Sequence, residues 1–157
     1  MESSLFTILV VDDEKLTIDL IAKFLSDLGH TCVTTRNGLD ALEKMKENKF
    51  DAVITDIKMP KMDGIELTKE ISKQYPGLPV MVITGFVEEY SEGEVISAGA
   101  QDFIKKPFVL SEFLTRLDKM INDSKVKGQQ ESGKNGSEKI DGLLGELETI
   151  LKKSDDV

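Results

Sequence analysis

Short apolar runs alternate with stretches of helical period along most of the chain. Ile8-Leu9-Val10-Val11, Ala52 to Thr55 and Val80-Met81-Val82-Ile83 lack polar alternation, the pattern of strands covered on both faces. With Thr31 to Thr35 and Asp102 to Lys105, they predict five strands, near residues 7–11, 31–35, 52–56, 79–84 and 102–105. Between the first two, Ile18, Ile21, Leu25 and Leu28 recur at helical spacing before Gly29 supplies a stop. A second helix is predicted from Leu39 to Asn48, with Leu42 and Met45 on its inner face. Ile65, Thr68 and Ile71 mark a third before Pro76-Gly77. The fourth, over residues 89–98, carries only Val95 and Ile96 as apolar anchors and is interrupted by Gly93. Leu110, Phe113, Leu114, Leu117 and Ile121 form the stripe of a fifth. Strands alternating with helices predict an α/β fold of five βα units, a doubly wound parallel sheet.

Composition changes after Ile121. Residues 122–138 are rich in Gly, Ser, Lys, Gln and Asn and contain a single aliphatic residue, Val126, so this stretch is predicted to be a flexible linker. Ile140, Leu143, Leu144, Leu147, Ile150 and Leu151 then form a short amphipathic tail over 139–157. Gly142 and Gly145 there each cost about 1 kcal/mol relative to alanine in a helix, so the tail is expected to need a partner surface. Residues 1–121 are left as one domain. The formal charge of -9 argues against binding nucleic acid by bulk electrostatics. Neither a bilayer-spanning apolar run nor a secretory start is seen, so a cytoplasmic protein with no membrane partner is expected. The lone Cys32 is expected to be a small buried residue, and the lone His30 to be structural.

In an open parallel sheet, reactive groups collect at the carboxyl ends of the strands. That rule brings Asp12 and Asp13, which end the first strand, to one rim with Asp56, which ends the third. Thr84 and Lys106 follow the fourth and fifth strands to the same place. At about 4 Å two carboxylates repel by on the order of 4 kcal/mol at an effective dielectric of 20. Either one carboxyl takes a proton or a divalent cation binds. All-oxygen donors without a His/Cys cluster favour Mg²⁺ over zinc. A cation beside a carboxylate, with a hydroxyl and an ammonium opposite, makes a receptacle for a phosphoryl group. Asp56 can attack phosphorus as nucleophile; Mg²⁺ and Lys106 can offset charge on the phosphoryl oxygens; Thr84 can donate a hydrogen bond once that group is present.

The set Val11-Asp12-Asp13-Glu14, Thr55-Asp56-Ile57-Lys58-Met59-Pro60 with Asp63-Gly64, Ile83-Thr84-Gly85 and Lys105-Lys106-Pro107-Phe108 resembles the receiver domain of two-component response regulators, especially the stand-alone chemotaxis type. The resemblance implies a flavodoxin-like sheet of order 2-1-3-4-5. It also implies that Asp56 accepts a phosphoryl group from the phosphohistidine of a sensor histidine kinase. Asp13 and Asp56 would ligate Mg²⁺ with the backbone carbonyl of Lys58, and Asp12 would act mainly through water. Lys106 would pair with the phosphoryl oxygens, and the Lys106–Pro107 bond would be cis. Thr84 and Phe103 would form the switch that reshapes the surface for a downstream protein target. Lys58 and Phe86 would flank the route of attacking water, which predicts slow self-dephosphorylation.

A rival resemblance is to Mg²⁺-dependent aspartyl-phosphate hydrolases of haloacid-dehalogenase type, which need an acid two residues after the nucleophile. Lys58 stands there after Asp56, and Glu14 would serve only if Asp12 were the nucleophile. The segment from Ile140 to Leu147 is similar to the short peptide by which the chemotaxis phosphatase grips a receiver. A phosphatase partner, or a tail that folds back onto a receiver, is the corresponding expectation. No second catalytic or DNA-binding domain is expected after Ile121, so output would be by protein binding.

Overall fold

The computed structural model describes residues 5–85 and 90–128. Five parallel strands, β1 (Thr7–Val11), β2 (Thr31–Thr35), β3 (Ala52–Thr55), β4 (Val80–Thr84) and β5 (Asp102–Lys105), lie in the order β2-β1-β3-β4-β5. The helices are α1 (Lys15–Asp27), α2 (Gly38–Glu47), α3 (Gly64–Gln74), α4 (Glu92–Ser97) and α5 (Leu110–Gly128). The chain divides into two compact units, with the division falling between Pro107 and Phe108. The first holds the whole sheet and the first four helices.

In that unit the strand order reverses after β2, so right-handed crossovers put α1 on one face and α2, α3 and α4 on the other. The core follows the pleat. Leu9, Val11, Val53, Val80 and Val82 alternate out of the strands to pack with Ala41 and Met45 of α2, Leu67 and Ile71 of α3, and Val95 of α4. The intervening Ile8, Val10, Ile54, Met81 and Ile83 are also buried, so β1, β3 and β4 are covered on both sides, as their unbroken apolar runs require. Edge strand β2 is only partly covered. Cys32 on it is therefore half-buried, in contrast to the buried residue expected from sequence, and burial pushes its thiol up to about 11.

Local chemistry sets the helix starts. Asn37, Asp63 and Ser91 accept from the amides of Asp40, Glu66 and Glu94, each satisfying an otherwise orphaned donor. The fourth helix is shorter than expected: it starts only after the Ser91 cap, and Ile96 is exposed, leaving Val95 as its buried anchor. His30 has a structural place. Its ring stacks on Phe6, and Nδ1 accepts the Phe6 amide at 3.0 Å.

The second unit contains α5, whose Phe113, Leu114, Leu117, Met120 and Ile121 are buried. Where the linker was expected to begin after Ile121, α5 continues through Asn122 to Gly128. Asn122 donates to the carbonyl and carboxylate oxygens of Asp118, both at 2.9 Å. A polar composition does not stop a helix whose side chains bond back to its own preceding turn. The rest of the expected linker, the tail over 139–157 and Phe86 lie outside the described residues. No described helix is long and apolar enough to cross a membrane.

Candidate functional site

The parallel register aligns Val11 with Thr55 and Thr84 with Lys105, so the residues that follow these strands emerge at one edge of the sheet. Backbone hydrogen bonds fix them there. The Asp12 amide donates to Thr35 O at 3.2 Å, the Asp56 amide to Val11 O at 3.0 Å, and the Lys106 amide to Thr84 O at 2.9 Å. The carboxylates of Asp12, Asp13 and Asp56 each offer an oxygen, and these oxygens lie within 4.8 Å of one another.

The three acids differ in setting. Asp12 and Asp56 are 3% and 5% exposed, whereas Asp13 is exposed. Lys106 Nζ lies between the two buried ones, 2.9 Å from Asp12 Oδ2 and 3.2 Å from Asp56 Oδ2. Their other oxygens accept backbone amides: Glu14 N to Asp12 Oδ1 at 2.9 Å and Ile57 N to Asp56 Oδ1 at 2.7 Å. Burial raises the Asp12 carboxyl above the ordinary carboxylate value. The Glu14 amide and Lys106 pull against that rise, and the Asp56 charge adds to it. Burial alone would lower the Lys106 pKa. The hydrogen bonds and charges of Asp12 and Asp56 outweigh it and hold the ammonium above the ordinary lysine value.

Three clustered oxygen donors and no imidazole or thiolate suit a hard divalent ion. Asp13, unburied and pointing an oxygen at the same spot, leaves room for the waters that Mg²⁺ retains.

Thr84 is fully buried at the end of β4, and Phe103 of β5 sits in the core cluster, with α4 packed against its strand. Lys58 is exposed. The Lys106–Pro107 peptide is cis. Met59 and Met62 are partly buried against the core. Two residues outside the sequence-based roles also act on the site. Gly64 starts α3 with its amide on Ile57 O at 2.7 Å, so close to Asp56 that a Cβ would lie 1.9 Å from the Asp56 carbonyl oxygen. The Asp63-Gly64 pair was visible in the sequence, but nothing in its spacing gives this approach. Arg36 donates to the Asp13 carbonyl, a contact with no local signature.

A family model described as "Response regulator receiver domain" matches residues 8–118. The chain is 30% identical over 143 residues to the alkaline phosphatase synthesis transcriptional regulatory protein PhoP of Bacillus subtilis, covering 91% of this chain and 60% of that protein. The crystal structure of NtrX from Brucella abortus superposes with a TM-score of 0.77 at 35% identity, over 82% of this chain and 29% of that one. A CheY-like receiver domain protein from Methanospirillum hungatei gives a TM-score of 0.72 at 27% identity, over 79% of this chain and 99% of that one. The chain thus spans 60% or less of the first curated relatives and nearly all of the Methanospirillum domain.

Proposed function

The chain belongs to the response regulator receiver family, and from this premise we propose that it is a phosphorylation-activated signalling switch. In this reading a sensor histidine kinase supplies a phosphoryl group to Asp56, and the modified domain signals by altered protein binding. The observation that carries it is the Lys106 ammonium held between two buried carboxylates, with a third carboxylate beside them.

Asp12, Asp13 and Asp56, with the Lys58 backbone carbonyl, are the groups that would hold Mg²⁺, which when bound would withdraw charge from the phosphoryl oxygens. An oxygen of Asp56 forms the new bond to phosphorus as the phosphorus–nitrogen bond of phosphohistidine breaks and its electron pair returns to the imidazole. The Ile57 amide at Oδ1 and Lys106 at Oδ2 fix the carboxylate plane for that attack. Lys106 stays protonated throughout and transfers its hydrogen bonds to the phosphoryl oxygens.

Thr84 and Phe103 supply the readout. Both sit in the packed interior of β4 and β5, so a Thr84 hydroxyl drawn to the phosphoryl group leaves a space that Phe103 can fill. The short α4, anchored by Val95, is the element least able to resist that repacking. The formal charge of -9 favours protein over nucleic acid as the direct partner of this domain, although some relatives are named as transcriptional regulators.

Incubation of the full chain with acetyl phosphate and MgCl₂ tests the reading. Intact mass should rise by one phosphoryl group, and both Asp56→Ala and EDTA should abolish the gain. Undiminished labelling of Asp56→Ala would place the chemistry elsewhere.

A further inference from the structure

Building on that reading, we propose that Arg36 is a positioning residue that sets Mg²⁺ affinity by clamping the loop that carries Asp12 and Asp13. Its guanidinium donates twice to a single acceptor: Nη2 lies 2.6 Å and Nε 3.2 Å from the backbone oxygen of Asp13. One residue earlier, the Thr35 carbonyl accepts the Asp12 amide at 3.2 Å. The chain between β1 and α1 is therefore tied to the end of β2 at two successive residues.

The tie falls where the site has least other support. Asp12 is held by the Glu14 amide and Lys106, and Asp56 by the Ile57 amide and Lys106. Asp13 is exposed, its carboxylate has no partner among the described residues, and α1 begins without a side-chain cap at Glu14. Rotation of the Asp13 peptide would swing its carboxylate away from the other two. Two N–H groups of one rigid guanidinium converging on the Asp13 oxygen fix its position in the guanidinium plane, where a single donor would fix distance alone.

Charge and clamping predict opposite signs, which makes the role decidable. Arg36 is a cation near a cation site, so its removal on electrostatic grounds alone should tighten Mg²⁺ binding. Loss of the clamp should weaken it, because the loop must then be ordered at the moment of binding.

Calorimetric titration of MgCl₂ into the full chain separates the two. Arg36→Gln is expected to bind about tenfold more weakly, the lower end of what groups supporting a metal ligand contribute. Arg36→Lys, which keeps the repelling charge but has no fork, should bind at least as weakly. The metal-free melting temperatures of both should match the wild type. Equal or tighter Mg²⁺ binding by Arg36→Gln overturns the proposal, as does a weakening accompanied by a lower metal-free melting temperature, which marks general loosening. Should Arg36→Gln fail to fold, Arg36→Lys decides alone, and wild-type affinity in it overturns the clamp. Absence of Mg²⁺ binding by the wild type would instead remove the parent reading, before any variant is compared.

Discussion

Gly64→Ala should cripple phosphorylation although residue 64 carries no reactive group. The added methyl would sit 1.9 Å from the Asp56 carbonyl oxygen, 2.8 Å from the Asp56 carbonyl carbon and 3.0 Å from Ile57 Cα. All three are backbone atoms, so no side-chain rotation relieves the overlap. Contacts under 3.0 Å are essentially never adopted by real Cβ atoms, so α3 and the end of β3 must part by roughly 1.1 Å, a misplacement worth about a hundredfold in rate when it falls on a reacting group. Asp56 takes that shift directly, because its oxygens are aimed by the adjacent Ile57 amide and by Lys106. Overpacking should also cost about 1–3 kcal/mol of stability. The assay is the initial rate of acetyl phosphate labelling at saturating MgCl₂, followed by intact mass, below the melting transition of both proteins. Gly93→Ala is the control: among the described residues its Cβ would find only Ser91 Oγ, at 3.8 Å. It should leave labelling unchanged while stabilising α4 by up to about 1 kcal/mol. Wild-type labelling by Gly64→Ala would refute the argument that the close approach of α3 aims Asp56.

Substitutions at three other positions probe separate parts of the structure. Lys106→Met removes the cation between two carboxylates whose side chains are 4% and 6% exposed; it should lower metal-free stability by on the order of 2 kcal/mol at neutral pH, with MgCl₂ restoring part, and a melting temperature in EDTA equal to the wild type would contradict this. Lys61 is held at φ 70°, so the β-branched Lys61→Val should lose about 1–2 kcal/mol while Lys61→Asn loses nothing; equal denaturation midpoints for the two would show that the loop relaxes. Burial lowers the His30 pKa below its ordinary 6.5, although Asp51 opposes the shift. The unfolded chain therefore binds the proton first, and the His30 contribution is intact above that value and is lost as pH falls toward the folded pKa. Thermal melts across this range should show a decline for the wild type that flattens in His30→Gln.

The five strands, the alternation with helices and the rim on which the acids collect were all legible in the chain, because they depend on short-range periodicity and on the handedness of parallel crossovers. Sequence also marked Asp12, Asp13, Asp56, Thr84 and Lys106 as one constellation. The polar composition after Ile121 was read as flexibility, whereas α5 runs on to Gly128, with Asn122 bonded back to Asp118. Only the tertiary structure showed the difference in burial between the two adjacent aspartates, with Asp12 buried against Lys106 and Asp13 exposed. Only it brought Gly64 against the Asp56 carbonyl and Arg36 onto the Asp13 carbonyl. Those contacts join residues up to 94 positions apart. Their lengths follow from strand register and from how closely a helix approaches a strand end, and no local pattern of side chains encodes either.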